Sequence, residues 1–309
     1  MRRLLVLLSW LLLLAATPAA AQVTASLVTT RDTVAPGQAF TAALRLQHQA
    51  HWHTFWQRAG TGLPTRIQWE LPPGWQAGAI EWPTPTLVRN TAGEVSGYGY
   101  VGLLYLPLTI TPPADAAAGT SVTLHATASW LMCKTVCVPG RARLALTVQV
   151  AAAPGAVDTA VASAIAAMSM PVTADGWELA ASIDSREAIL HVAAATALQT
   201  PYFYPLNAYV DYKQAQTVAN RGNRALLKMA LDAEESVPAA DHLRGVLAYT
   251  DADGRYRGVK VDVPFVAEAV AAKIGAVSLE RESAATAPVP PPGDRLEERH
   301  REHSDRKTA

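Results

Sequence analysis

Apolar and polar residues alternate along most of this chain, in short runs closed by glycine and proline. Residues 26–30 form one such run, the turn Ala35-Pro36-Gly37-Gln38 ends it, and residues 40–47 alternate again. Residues 66–71 and 80–82 read as two more short strands, divided by Pro72-Pro73-Gly74 and closed by Pro83 and Pro85. Residues 96–102 space their aromatics with glycine and read as a loop, whereas residues 103–110, bounded by Pro112 and Pro113, read as a buried strand. Val122, Leu124, Ala126, Ala128 and Trp130 share one face of the next strand, and Leu144, Leu146, Val148 and Val150 share one face of the return. Many short strands with regular turn signals and no helical period predict a β-sandwich of immunoglobulin-like type.

The pattern breaks at Ala151-Ala152-Ala153-Pro154-Gly155, which marks a domain boundary. Val157, Val161, Ile165 and Met168 follow at helical spacing in an alanine-rich stretch and predict one short helix. Strand-like runs then resume at residues 177–183, 188–192, 225–231, 245–249 and 257–263. Asp251-Ala252-Asp253-Gly254 opens like a calcium loop but lacks the later ligands, so it is read as a hairpin turn. Residues 266–274 allow a last helical turn or two. The expected architecture is all-β: two immunoglobulin-like sandwiches in tandem, residues 22–150 and 151–268, with a short helix near the linker. Residues 269–309 are expected to be a disordered tail, proline-rich and then almost wholly polar, since such a segment cannot bury enough surface to order itself.

The chain begins with a basic start, Met1-Arg2-Arg3, then an apolar core over residues 4–16 and the small-residue box Ala19-Ala20-Ala21. This is the layout of a secretory signal peptide, residues 1–21, cleaved near Ala21, and it places the mature chain in a compartment such as the periplasm. No second apolar run of spanning length follows, so no membrane span is expected in the mature chain. Among 309 residues half are hydrophobic and the formal net charge is zero, a balance that gives no reason to expect a nucleic acid partner. No cofactor motif stands out, and neither a Ser/His/Asp arrangement nor a phosphate-binding glycine loop is present.

The two cysteines, Cys133 and Cys137, are separated by three residues. A disulfide needs Cα atoms roughly 4.4–6.8 Å apart, and four extended steps cover about 13 Å, so the chain must fold back between them. Closing so short a ring restrains the unfolded chain by only about 2 kcal/mol, a poor staple. Spacing alone leaves two readings open: reversible thiol exchange and an inert structural bond. Lys134 beside Cys133 offers a weak electrostatic assist to a thiolate. A competing reading takes His51 and His53, two apart and on one side of a strand, together with Cys133 and Cys137 as ligands for copper or zinc. Against it, histidines among Trp52, Phe55 and Trp56 are more often packing groups, and the aromatics themselves read as core or as a floor beneath a covering loop. A third reading is a non-catalytic assembly module, since a β-sandwich alone implies no function.

Five motifs in order resemble the N-terminal periplasmic region of DsbD/ScsB-type thiol:disulfide interchange proteins. They are His51-Trp52-His53-Thr54-Phe55-Trp56; Gly60-Thr61-Gly62-Leu63-Pro64-Thr65; Trp82-Pro83 with Pro85; Gly97-Tyr98-Gly99-Tyr100 with Gly102; and Trp130-Leu131, Cys133-Lys134, Cys137 and Pro139. The likeness covers about residues 23–150 and continues more weakly to Phe265, through Tyr202-Phe203-Tyr204-Pro205 and His242-Leu243-Arg244-Gly245. The resemblance implies an immunoglobulin-like domain whose cysteine pair relays electrons from a thioredoxin-like domain, fed by a membrane hub, to oxidised periplasmic proteins. It implies that Cys137 forms the mixed disulfide and Cys133 resolves it. It also implies a cap over residues 94–100, with Glu94, Tyr98 and Tyr100 in it and Tyr98 as the shielding ring, and supporting roles for Lys134, Trp130, His53, Trp56 and Pro139. The cysteine spacing and the glycine-tyrosine cap are closer to the ScsB-like branch. Because neither hub nor thioredoxin-like domain is found in this sequence, the electron donor is expected on another chain.

Overall fold

The computed structural model describes residues 21–60, 62–237, 241–274 and 283–284. The signal-like stretch 1–20 and the polar tail from 285 onward lie outside the described residues. The first half contains β1 (Val23–Thr29), β2 (Thr33–Val34), β3 (Phe40–His48), β4 (His53–Phe55), β5 (Arg66–Glu70), β6 (Gln76–Ala77), β7 (Thr86–Arg89), β8 (Val95–Val101), β9 (Leu103–Thr111), β10 (Ser121–Cys133) and β11 (Cys137–Val150). One sheet runs β1-β3-β9-β6 and the other β2-β11-β10-β4-β8-β7, with β5 also on β10. Their facing side chains make the sandwich core. Leu44, Leu46, Leu104 and Leu106 come from the first sheet, and Ala128, Trp130 and Met132 from the second. Towards the other end Ala42, Leu108 and Ile110 meet Leu124, Leu146 and Val148. The alternation read along residues 122–130 and 144–150 is thus the inward face of the β10–β11 ladder, whose register runs unbroken from Ser121↔Gln149 to Cys133↔Cys137.

The second half begins with helix α1 (Thr159–Ala166), capped by the Asp158 carboxylate, which accepts from the backbone N–H groups of Ala160 at 2.9 Å and Val161 at 3.1 Å. It continues with β12 (Glu178–Asp184), β13 (Glu187–Ala193), β14 (Gln199–Pro205), β15 (Thr217–Arg221), β16 (Arg224–Ala230), β17 (His242–Thr250), β18 (Tyr256–Pro264), helix α2 (Glu268–Ala271) and β19 (Ser283–Ala284). These form a five-stranded sheet, β12-β13-β16-β15-β19, and a three-stranded sheet, β14-β17-β18. The β17–β18 turn is closed by the Asp251 carboxylate, which accepts from the backbone of Asp253 and Arg255, so a hairpin it is.

Four expectations change. Residues 96–102 are largely strand β8, not a loop, because neighbouring backbone passes where their glycines leave no side chain: a Cβ at Gly99 would strike the Thr54 carbonyl, and one at Gly97 the Ala59 carbonyl. Residues 80–82 are not a strand; flanked by Pro83 and Pro85, they keep one ladder-like bond, Glu81 N–H to the Pro107 carbonyl at 2.8 Å. The second half gains three strands with no predicted counterpart, β14, β15 and the two-residue β19. The tail does not begin at 269: α2 buries Ala271, Arg224 donates to the Ile274 carbonyl at 2.7 Å, and residues 283–284 pair with β15.

The halves also share a core. Trp56, Tyr98 and Tyr100 from the first lie in one apolar cluster with Tyr202, Tyr204, Val246 and Tyr256 from the second. Tyr98 meets Tyr204 edge-on at 5.1 Å between centroids, and the Tyr256 hydroxyl donates to the Pro85 carbonyl.

Candidate redox site

The β10–β11 hairpin ends on a disulfide. Cys133 and Cys137 are opposed at the last rung, their Cα atoms 4.1 Å apart, and the Lys134 N–H bonds to the Val136 carbonyl at 3.2 Å to close the turn. The two sulfurs differ in environment: Cys133 is only 4% exposed, whereas Cys137 and its neighbours Thr135 and Val136 are exposed. The cause is position on the sheet. Cys133 still belongs to the interior of β10, paired on its other side with His53 of β4, while Cys137 starts the outer strand β11.

Side-chain parity decides what surrounds the bond. Cys133, His53 and Val101 lie in one rung across β10, β4 and β8, and Met132, Thr54 and Tyr100 in the next. Side chains of adjacent rungs point to opposite faces. Cys133 therefore shares its face with His53 and Phe55, and it packs with Phe55, Ala59, Val88 and Leu131. Phe55 is fully buried, and Gly62 crosses its ring so closely that a Cβ there would enter it. Residues 57–60 and 62–64 thus cover this face, and Phe55 is the ring beside the buried sulfur.

The cap assignment is corrected accordingly. Tyr98 and Tyr100 stand on the opposite face of β8 from Cys133, because they alternate with Gly97 and Gly99. Tyr98 contacts Trp56, Tyr204 and Tyr212, and the Tyr100 hydroxyl donates to the Pro83 carbonyl at 2.7 Å while its ring stacks on Trp82. Burial raises both phenols well above their ordinary range. Glu94 sits in the exposed β7–β8 turn, bonded to Asn90. Of the residues expected to support the pair, Trp56 is wholly buried in the shared core, Pro139 is exposed opposite Leu131, and Trp130 lies over Gly140 on the inner face.

The histidine pair is not one strand face. His51 occupies a left-handed turn, φ 69°, and is exposed, while His53 opens β4 and is 2% exposed. Among the described residues no three His, Cys, Asp or Glu side chains are grouped to hold a metal ion. The histidine that sequence reasoning missed is His48. Its Nδ1–H donates to the Gly102 carbonyl at 2.6 Å, and its Nε2 accepts from the Thr54 hydroxyl at 2.9 Å. Burial pushes both His48 and His53 down to about 4, so both are neutral near pH 7. The sheet register, invisible in sequence, pairs His53 with Cys133, while His48 of β3 reaches only Gly102 and Thr54.

Arg58 ties the cover to the second half. Its guanidinium donates to the carbonyls of Asn207 (2.9 Å), Ala208 (2.9 Å) and Val210 (3.1 Å), and the Tyr212 ring lies against Gly60.

With this geometry in view, comparison with known proteins places residues 24–149 under the family model "Thiol:disulfide interchange protein DsbD, N-terminal". The fold is similar to that of the N-terminal periplasmic domain of ScsB from Proteus mirabilis, with a TM-score of 0.58 at 15% identity over 81% of this chain and 96% of that one. The YadV and SfaE chaperones align over 79% of this chain and 100% of theirs at TM-scores of 0.21 and 0.22, with 8% and 10% identity, and carry no argument. The curated proteins give no match. Residues 24–149, with a cysteine pair at the tip of their longest hairpin, thus match the N-terminal domain of DsbD-type thiol:disulfide interchange proteins.

Proposed function

We propose that this chain relays electrons through reversible opening of the Cys133–Cys137 bond, taking them from a thioredoxin-like donor on another chain and giving them to oxidised exported proteins. The observation that carries the reading is the asymmetry of the pair: one sulfur at the surface, the other buried beside Phe55. A donor thiolate can approach only the exposed sulfur. As it attacks Cys137 Sγ, the donor–Cys137 bond forms, the Cys133–Cys137 bond breaks, and the electron pair leaves on Cys133 Sγ. The donor's second thiolate then attacks the donor sulfur of the mixed disulfide and expels Cys137 as thiolate; the donor ends oxidised and this chain reduced by two electrons. The reverse sequence reduces an acceptor disulfide. A periplasmic setting fits the signal-like start and the family model, and no helix among the described residues is long and apolar enough to cross a membrane.

Trapping tests it. Cys133→Ala leaves Cys137 exposed with no resolving thiol and is expected to accumulate mixed disulfides with exported proteins and a thioredoxin-like donor. Cys137→Ala leaves only the buried thiol and is expected to trap at least tenfold less. Absence of adducts with Cys133→Ala, or equal capture by both variants, overturns the relay.

A further inference from the structure

Opening the disulfide creates a problem that the fold must solve. The leaving sulfur, Cys133, is 4% exposed among Phe55, Ala59, Val88 and Leu131. A thiolate in such apolar surroundings is disfavoured, which holds back both its departure and its later return as the resolving nucleophile. A donor aimed at it would help most.

Beside it lies a polar atom without employment. His53 is 2% exposed, its Nε2 is buried, and that nitrogen has no hydrogen-bond partner among the described residues. Leaving a buried polar group unpaired is costly, so its presence needs a reason. His53 is the direct cross-strand partner of Cys133 and stands on the same sheet face, where paired Cβ atoms are about 4.5–5.5 Å apart, within the reach of an imidazole. Its ring is fixed edge-on to Phe55 at 5.2 Å. His48, the neighbouring histidine, is fully engaged with Gly102 and Thr54, and Lys134 is on the turn beyond the rung. In the oxidised state a disulfide sulfur is a weak acceptor; in the reduced or mixed-disulfide state a thiolate is a strong one.

We infer that His53 is the thiolate-stabilising residue of this site: its Nε2–H, idle while the disulfide is closed, donates a hydrogen bond to the Cys133 thiolate when it opens. The bond exists in only one redox state, so it favours opening and lowers the cost of carrying the buried anion. The neutral imidazole that burial maintains is able to donate without adding a charge of its own. This inference rests on the exchange reading of the cysteine pair.

The test uses the full chain and no protein partner. In a Cys137→Ala background, thiolate absorbance against pH reports Cys133 alone. His53→Phe, which keeps an aromatic ring but no donor, is expected to raise the Cys133 pKa by about one unit, a tenfold loss of thiolate at a given pH, while His53→Gln recovers part of it. Equal titration of parent and His53→Phe overturns the inference. A second measurement needs no variant at the histidine: the ring-nitrogen resonance of His53 in the wild-type chain should shift on reduction with dithiothreitol, and an unchanged resonance overturns it as well. Failed trapping with an intact His53 effect removes the relay alone; successful trapping with no His53 effect removes this inference alone.

Discussion

Trp130 and Gly140 face each other across the β10–β11 ladder, and the indole lies over the glycine in the space a side chain would need. A Cβ at 140 would fall inside the ring, which has no flexible end to swing aside. Gly140→Ala is therefore expected to cost about 1–3 kcal/mol and to lower the melting temperature by roughly 2–4 °C per kcal/mol. Calorimetry checks it; an unchanged transition would mean the indole can move freely off its rung.

Arg58 fastens the cover to the loop of residues 207–210 through three carbonyls. Removing it in Arg58→Ala is expected to destabilise the chain by about 1–3 kcal/mol, to raise amide exchange across residues 57–64, and to speed reduction of the disulfide by dithiothreitol. Exchange mass spectrometry and reduction kinetics report these separately. Arg58→Lys should recover little, since one ammonium cannot span three acceptors as a guanidinium does.

Tyr98 tests where the shield lies. With its ring wholly buried between the halves, Tyr98→Ala should cost about 3–5 kcal/mol, whereas Tyr98→Phe should leave the rate of disulfide reduction unchanged. Phe55→Ala is expected to accelerate that rate, because Phe55 packs against Cys133. Acceleration by Tyr98→Phe would return the cap to β8.

His48 gives the pH dependence its sign. Its imidazole is held at about 4 when folded, against 6.5 when free. Between those values the unfolded chain binds more protons, so stability is fully present above pH 6.5 and is lost as pH falls towards 4, at about 1.4 kcal/mol per pH unit for one histidine. His48→Gln should flatten that slope by about this amount in denaturant titrations from pH 7 to 4.

Much of this was legible in the sequence, and the rest was not for physical reasons. Val122 to Trp130 and Leu144 to Val150 announced a half-buried ladder because inward and outward positions alternate, and the three-residue gap placed the cysteines on its turn. β8 was unreadable: Gly97 and Gly99 look like loop residues, and only the approach of the Thr54 and Ala59 carbonyls explains them. The same register turned Tyr98 away from the sulfurs and brought His53 to them, a difference of one residue in parity that no motif encodes. Arg58 acts through partners 149 to 152 residues away in the chain, and His48 is held by one 54 residues away, Gly102.

The aromatic seam around Tyr98, Trp56 and Tyr204 has a practical consequence for anyone cutting this protein. A fragment ending at residue 150 would present Tyr98, Tyr100 and Trp56 to water with their second-half neighbours gone. Such a sticky flank favours self-association in place of a well-behaved monomer. The boundary that looks natural on paper, at Ala151 to Gly155, is therefore a poor place for scissors.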